Sequence, residues 1–294
     1  MVLFAALLTV FSWGLWLIPS QKVRLESQLV KTFYVAAANL VLALAFAFWK
    51  GSVLVPFAVF WPPFVGGLIW AVGGWCTFAA TSRIGIAKAF GIWAPLNIVV
   101  SLVWGAVLFQ EFLGTGIASL IFLFASVAVI IAGVLLIVFS KGPGSEAQGK
   151  TATGLLAALG SGVLWGSYFI PIKASSVSLW TAAWPMALGI FVGSAVLLAV
   201  LSARSARKLE KSSDSLRLLA TGLLWGLGNY GSLMLIDQLG ASRGFTIAQV
   251  SIVVASLVSV YFLKEPPPRT KAATLTLIGC VLVTAGGIVL GNLK

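Results

Sequence analysis

Charged residues divide this chain into long apolar stretches. Between them run the segments 1–21, 32–49, 51–82, 89–110, 112–140, 151–172, 174–203, 218–236, 244–263 and 272–293. Each comes near or exceeds the roughly 20 residues that a helix needs to cross about 30 Å of hydrocarbon. The pattern predicts an all-α polytopic membrane protein with ten transmembrane helices, the third and fourth forming a hairpin around Arg83 and Lys88. The first stretch has no basic region after Met1, contains Trp13, Trp16 and Pro19, and recurs in similar form mid-chain. It reads as a retained first helix rather than a cleaved signal.

The same pattern repeats. Trp13-Gly14 with Ile18-Pro19 matches Trp165-Gly166 with Ile170-Pro171 at an offset of 152. An offset of 155 relates Gly67-Leu68-Ile69-Trp70 and Gly73 to Gly222-Leu223-Leu224-Trp225 and Gly228, then Gly85 to Gly240, Lys88 to Arg243 and Phe90 to Phe245. At 154, Glu111 matches Glu265 and Gly133 matches Gly287. An ordered series at nearly constant offset predicts a duplication, with a first five-helix repeat over 1–140, a flexible link over 141–150 and a second repeat over 151–294. An odd number of helices per repeat forces the second copy to insert upside down. Two inverted repeats around a central site are the architecture of alternating-access transporters.

Charge then sets the orientation. Of the 19 Lys and Arg, fifteen fall in links after odd-numbered helices and four (Lys50, Lys173, Arg243, Lys294) on the other side. The positive-inside rule places both termini outside the cytoplasm of a prokaryotic plasma membrane. The net charge of +12 therefore belongs to short links that meet anionic lipid head groups. It forms no compact basic face for nucleic acid.

Composition removes further classes. The chain is 60% hydrophobic and 9% charged, and it has no His. Cys76 and Cys280 lie in apolar runs without metal-ligand spacing, so neither a metal nor another cofactor is implied. A membrane enzyme would need an acid, base or nucleophile cluster. A channel would need a filter segment or a ring of charge, and an ATP-driven pump a phosphate-binding loop. None of these is visible. A structural or receptor-like partner would be favoured if the halves enclosed no polar cavity.

Polar side chains inside the spans mark the candidate site, because hydrocarbon drives them toward partners or a wet cavity. The candidates are Asn39, Asn97, Asn229 and Gln249, with Trp93 and Trp225 each four residues before an Asn and so on the same helix face. An amide offers two donors and an acceptor, and an indole an apolar plate with one donor. Together they suit a neutral polyhydroxylated solute, although interhelical hydrogen bonding beside a lipid-facing indole would use the same residues. Trp13, Trp16, Trp70, Trp75, Trp165, Tyr168 and Tyr230 are further cavity candidates, while Trp61 and Trp180 fit an interface. Pro95 interrupts the fourth span, and a bend there would offer carbonyls to a solute. Pro19 and Pro171 fit helix ends. Glycine pairs such as Gly189/Gly193 and Gly222/Gly226 fit close helix contact. For gating or coupling the candidates are Lys88, Glu111, Asp237, Arg243 and Glu265, with an Asp237–Arg243 ion pair as the plainer reading. No carboxylate is placed like a midplane proton carrier, which favours facilitated diffusion. A coupling proton or sodium ion stays open, and a homodimer is compatible with the pattern.

The run Gly222-Leu223-Leu224-Trp225-Gly226-Leu227-Gly228-Asn229, followed by Gly240-Ala241, Ala248-Gln249 and Phe262-Leu263-Lys264-Glu265, resembles the second half of bacterial glucose/ribose uptake proteins. Those belong to the drug/metabolite transporter superfamily. Gly279, Gly286, Gly287 and Gly291 fit its last helix, and the two Trp-Gly segments fit the starts of its halves. The first half departs from the pattern where Ala94 stands opposite Gln249. The resemblance implies ten helices from a duplicated unit, a central substrate path and movement of small metabolites, sugars in the closest branch. The superfamily also holds exporters of amino acids and related metabolites. The expectation is secondary transport of a small neutral solute, a monosaccharide before an amino acid.

Overall fold

In the computed structural model, the described residues are 1–25, 27–110, 116–140, 148–202, 209, 211–239 and 241–291, and their secondary structure is helical throughout. The elements are α1 (Val2–Leu15), α2 (Ile18–Gln21), α3 (Gln28–Lys50), α4 (Phe57–Ile84), α5 (Ile86–Val107), α6 (Ile117–Phe139), α7 (Gln148–Trp165), α8 (Ile170–Ala174), α9 (Leu179–Leu201), α10 (Ser212–Leu239), α11 (Ala241–Val258, continued by a π-turn over Ser259–Leu263) and α12 (Lys271–Gly291). Among the described residues, nine helical stretches are long and apolar enough to cross a membrane. Two of these join α1 to α2 and α7 to α8, and α11 with its π-turn adds a shorter apolar stretch, Ile247–Leu263. Most of the link expected over 141–150 lies outside the described residues, and α7 begins within its last part, at Gln148.

Local chemistry explains the helix ends. Gly51 ends α3 in the left-handed region at φ 64°, its N–H bonded to Phe48 O while Ser52 N–H reaches Ala47 O. Gly85, at φ 76°, is the whole connection between α4 and α5. Ser178 caps α9, its hydroxyl accepting from Thr181 N–H at 3.2 Å. The first helix of each half is broken at a repeated place, after Leu15 and after Trp165. Pro19 and Pro171 start the short second pieces, where their missing N–H leaves no intrahelical bond unmade. Pro62, Pro63, Pro95 and Pro185 lie inside helices.

Most of the helix packing is preserved when the halves are exchanged, the exceptions being α3–α4 and α5–α12, whose counterparts pack little. Helix α4 packs on α7 and α9, and its counterpart α10 packs on α1 and α3. Helix α5 lies on α7, and α11 lies on α1, while α3–α9, α5–α11 and α6–α12 pair with their own counterparts. This pattern agrees with the inverted repeat. It also interlaces the halves: α4 and α5 group with α7–α9, and α10 and α11 group with α1–α3.

Small residues allow these approaches, since lipid leaves shape complementarity to hold helices together. A Cβ on Gly67 would meet Ile190 N at 2.7 Å and the Met186 carbonyl, and one on Gly189 would meet the Phe64 carbonyl. In the other half, Gly222 faces Val35 O and Ala38. Gly73 seats the edge of Trp165, and its counterpart Gly228 seats the edge of Trp13. At the centre the tryptophans stack: Trp70 lies 5.0 Å from Trp165 and 4.3 Å from Trp225, and Trp93 meets Trp165 edge-on at 5.7 Å.

Candidate substrate cavity

A cavity of about 660 Å³ lies between the two groups of helices. Helices α1, α3 and α10 contribute Trp13, Asn39, Trp225 and Asn229; α5 contributes Asn97 and Ser101; α7 and the segment after it contribute Trp165 and Tyr168. The lining reaches the exposed residues Lys173, Ser176 and Leu179 of the α8–α9 connection, which form the mouth. At the other end the stacked aromatics close the path, with Trp16, Phe78 and Trp93 all at most 2% exposed. The cavity is therefore open at one end only.

Three amides give it polar chemistry. Asn229 Oδ1 accepts from Trp13 Nε1 at 3.1 Å, which fixes both side chains and leaves the amide N–H groups free. Asn97 Oδ1 accepts from Ser101 Oγ at 3.3 Å, and that hydroxyl also lies 3.3 Å from Gly166 O. Asn39 makes no hydrogen bond to another described residue, although it is 4% exposed. Buried amides need partners, and a solute in the cavity can supply them. Among the described residues Lys173 is the one charged side chain in the lining, its Nζ 4.5 Å from the centroid of Phe109, and the described lining holds no carboxylate.

Four of the six sequence candidates for binding thus come together: Asn39, Asn97, Trp225 and Asn229. Trp93 does not join them. It lies one turn below Asn97, toward the sealed end, and serves as packing against Phe90 and Trp165. Gln249 also stands apart, buried where α11 meets Gly287 of α12. Of the wider aromatic candidates, Trp13, Trp165, Tyr168 and Tyr230 line the cavity, whereas Trp16 and Trp70 belong to the core. Ser101 and Ser232, which the sequence analysis passed over, line it too. Their signal was helical spacing, four residues after Asn97 and three after Asn229.

The charged candidates separate to opposite ends. Lys88 Nζ donates to Ser140 O at 3.1 Å beyond the C-terminus of α6, at the sealed end. Glu265 is there as well, against Gly85, and partial burial raises its carboxyl above the usual pKa. Its carbonyl accepts from Ser259 Oγ at 2.8 Å, and that oxygen takes the Ala87 N–H at 3.1 Å. Asp237 is at the mouth end and accepts from Trp180 Nε1. Glu111 and the side chain of Arg243, and with it the expected Asp237–Arg243 pair, lie outside what the structure describes. Among the described residues no group of three His, Cys, Asp or Glu is placed to hold a metal.

Comparison with known proteins decides the family. The family model described as "Sugar transport protein" matches residues 4–293. The chain belongs to the sugar transport protein family. Within its reach is a "Putative sugar uptake protein" of Enterococcus faecalis, 28% identical over 238 residues, covering 79% of this chain and 78% of its own. A "Probable glucose uptake protein" of Priestia megaterium is 25% identical over 232 residues, covering 78% of each chain. A crystal structure, 17% identical, matches with a TM-score of 0.62 over 98% of this chain and 95% of its own, a likeness of fold. The chain is accordingly a multi-pass membrane protein of a sugar-transporting family, and its cavity is read in that light.

Proposed function

We propose that the protein carries a neutral monosaccharide across the plasma membrane by alternating access. The supporting observation is the cavity: three amides and three indoles around one space that opens at one end and is shut by packed tryptophans at the other. Its size is within the usual range of small-molecule sites, about 300–1,000 Å³. Sugar hydroxyls bond to Asn39, Asn97 and Asn229, and the C–H faces of the ring lie on Trp13, Trp165 or Trp225. The positive-inside bias places the mouth outside the cell, so this is the outward-facing state. Glu265 and Lys88 work at the cytoplasmic seal rather than on the solute. Movement is facilitated diffusion, a reading supported by the described lining, which holds no carboxylate to carry a proton with the sugar.

The alternative solute, an amino acid bound for export, fits less well, because its ammonium group would find no anionic partner among the described lining residues. A titration of intrinsic tryptophan fluorescence tests the reading. Glucose or ribose is expected to change the emission saturably, and Trp225→Phe to reduce the change. A response to amino acids with none to sugars would overturn the assignment.

A further inference from the structure

The chain segment that seals the cytoplasmic end occurs twice. The offset of 152 carries Trp13 onto Trp165, Trp16 onto Tyr168, Leu17 onto Phe169 and Pro19 onto Pro171, and the offset of 155 carries Gly73 onto Gly228 and Phe78 onto Leu233. The packing obeys this correspondence, since Trp165 seats on Gly73 and Trp13 on Gly228.

The two copies are in different situations. At the sealed end Trp16 and Leu17 are each 2% exposed. Trp16 stands edge-on to Phe78 at 5.9 Å and 6.2 Å from Trp165. At the mouth the counterparts Tyr168 and Phe169 are half-buried and line the open cavity, as do Leu233 and Trp13, the counterparts of Phe78 and Trp165. A hydroxyl pair shows the same difference. Thr77 and Ser161 bond at 2.6 Å toward the sealed end. Their counterparts are Ser232, which lines the cavity, and Thr9, whose hydroxyl donates to Ala5 O at 2.8 Å.

We propose that Tyr168 is the outer gate, and that in the opposite state it closes on Leu233 and Trp13 as Trp16 here closes on Phe78 and Trp165. The inference rests on the alternating-access reading above. It follows because interchange of two inverted repeats converts each end into the other. The ends are not equally secured. Lys31, 4% exposed, donates to Ser20 O at 2.9 Å across the sealed segment. Val35 and Ala38 face Gly222 as Met186 and Gly189 face its counterpart Gly67, so the position matching Lys31 is Ala182, whose side chain can form no such bond.

The test uses full-length protein in proteoliposomes, in a Cys76→Ser/Cys280→Ala background that retains sugar uptake. Tyr168→Cys with Leu233→Cys is treated with a short bismaleimide or an oxidant. The bridge is expected to form, to form faster in the presence of the transported sugar (glucose, ribose or rhamnose), and to stop uptake. Reduction is expected to restore uptake after the oxidant. A second variant does not depend on replacing Tyr168. Trp16→Ala weakens the inner seal, so labelling of a single Leu233→Cys by a membrane-impermeant maleimide should fall. Failure of the bridge to form, retained uptake in the bridged protein, or unchanged labelling overturns the gate and leaves the transport reading standing. Absence of saturable uptake of any of the three sugars by the unbridged protein overturns the transport reading, and the gate with it.

Discussion

Replacing Asn229 by alanine separates a binding amide from a packing one. Its Oδ1 accepts from the Trp13 indole at 3.1 Å, so its N–H groups and the second lone pair of the oxygen remain for a solute. Alanine removes those donors and also frees the Trp13 plate. A neutral hydrogen bond contributes about 0.5–1.5 kcal/mol net. Loss of the solute bond together with the disordered plate should therefore cost roughly 1–3 kcal/mol of binding, about 5- to 150-fold in Kd. Asn39 has no such second duty, and Asn39→Ala should cost roughly 1 kcal/mol, about fivefold. Equilibrium binding of labelled sugar to purified protein measures both, and thermal melting in the same detergent measures stability. The expected order is a larger binding loss for Asn229→Ala than for Asn39→Ala, with melting lowered only in the former. Binding within about twofold of the parent for both variants would refute the assignment of these amides to the solute.

Gly189→Val should greatly lower the melting temperature or yield no folded protein, because its Cβ would meet the Phe64 carbonyl of α4 and overpacking costs about 1–3 kcal/mol even where side chains can yield. Gly116→Val, with no described residue within 4 Å of its Cβ, is the comparison and should lower the melting temperature far less, by no more than the loss of a glycine N-cap. A double-mutant cycle of Thr77→Val and Ser161→Ala should give a coupling of roughly 0.5–1.5 kcal/mol from their 2.6 Å bond, and additivity would contradict it. Glu265 has a raised pKa in the fold, so the folded state holds its proton more tightly than the unfolded chain. Its contribution to stability is present in acid and is lost as the pH rises through the raised value. Melting temperature measured across the acid range should fall with pH more steeply in the parent than in Glu265→Gln, and parallel profiles would count against it.

The spans were legible because lipid demands long, mostly uncharged helices, and charge spacing places them to within a turn or so, with Lys31 and Lys88 falling just inside α3 and α5. The repeated pattern along the chain is consistent with the structure, where the paired Trp-Gly and Gly-x-x-Trp-x-x-Gly patterns are the places at which Trp165 seats on Gly73 and Trp13 on Gly228. Hidden from the sequence was depth along the path. Trp93 and Asn97 share a helix face, yet one turn separates the sealed floor from the open cavity, and that turn makes Trp93 a packing residue. Gln249 is polar and buried, but its helix turns it toward α12, an orientation that depends on Gly287 admitting it. Ser101 and Ser232 escaped notice because a serine in an apolar helix commonly bonds its own backbone, and only the neighbouring asparagines mark these two as different. The interlacing of the halves also has no local signal, since it follows from which helices pack rather than from the pattern within any one of them.

Saturable uptake of radiolabelled glucose, ribose and rhamnose into proteoliposomes, measured with and without a proton gradient, tests the central claim most directly. The cavity's amide and indole lining, without a carboxylate among the described residues, predicts that one of these sugars enters saturably without a gradient and that Asn229→Ala weakens its uptake. Failure of all three to enter vesicles holding correctly folded protein would contradict the account.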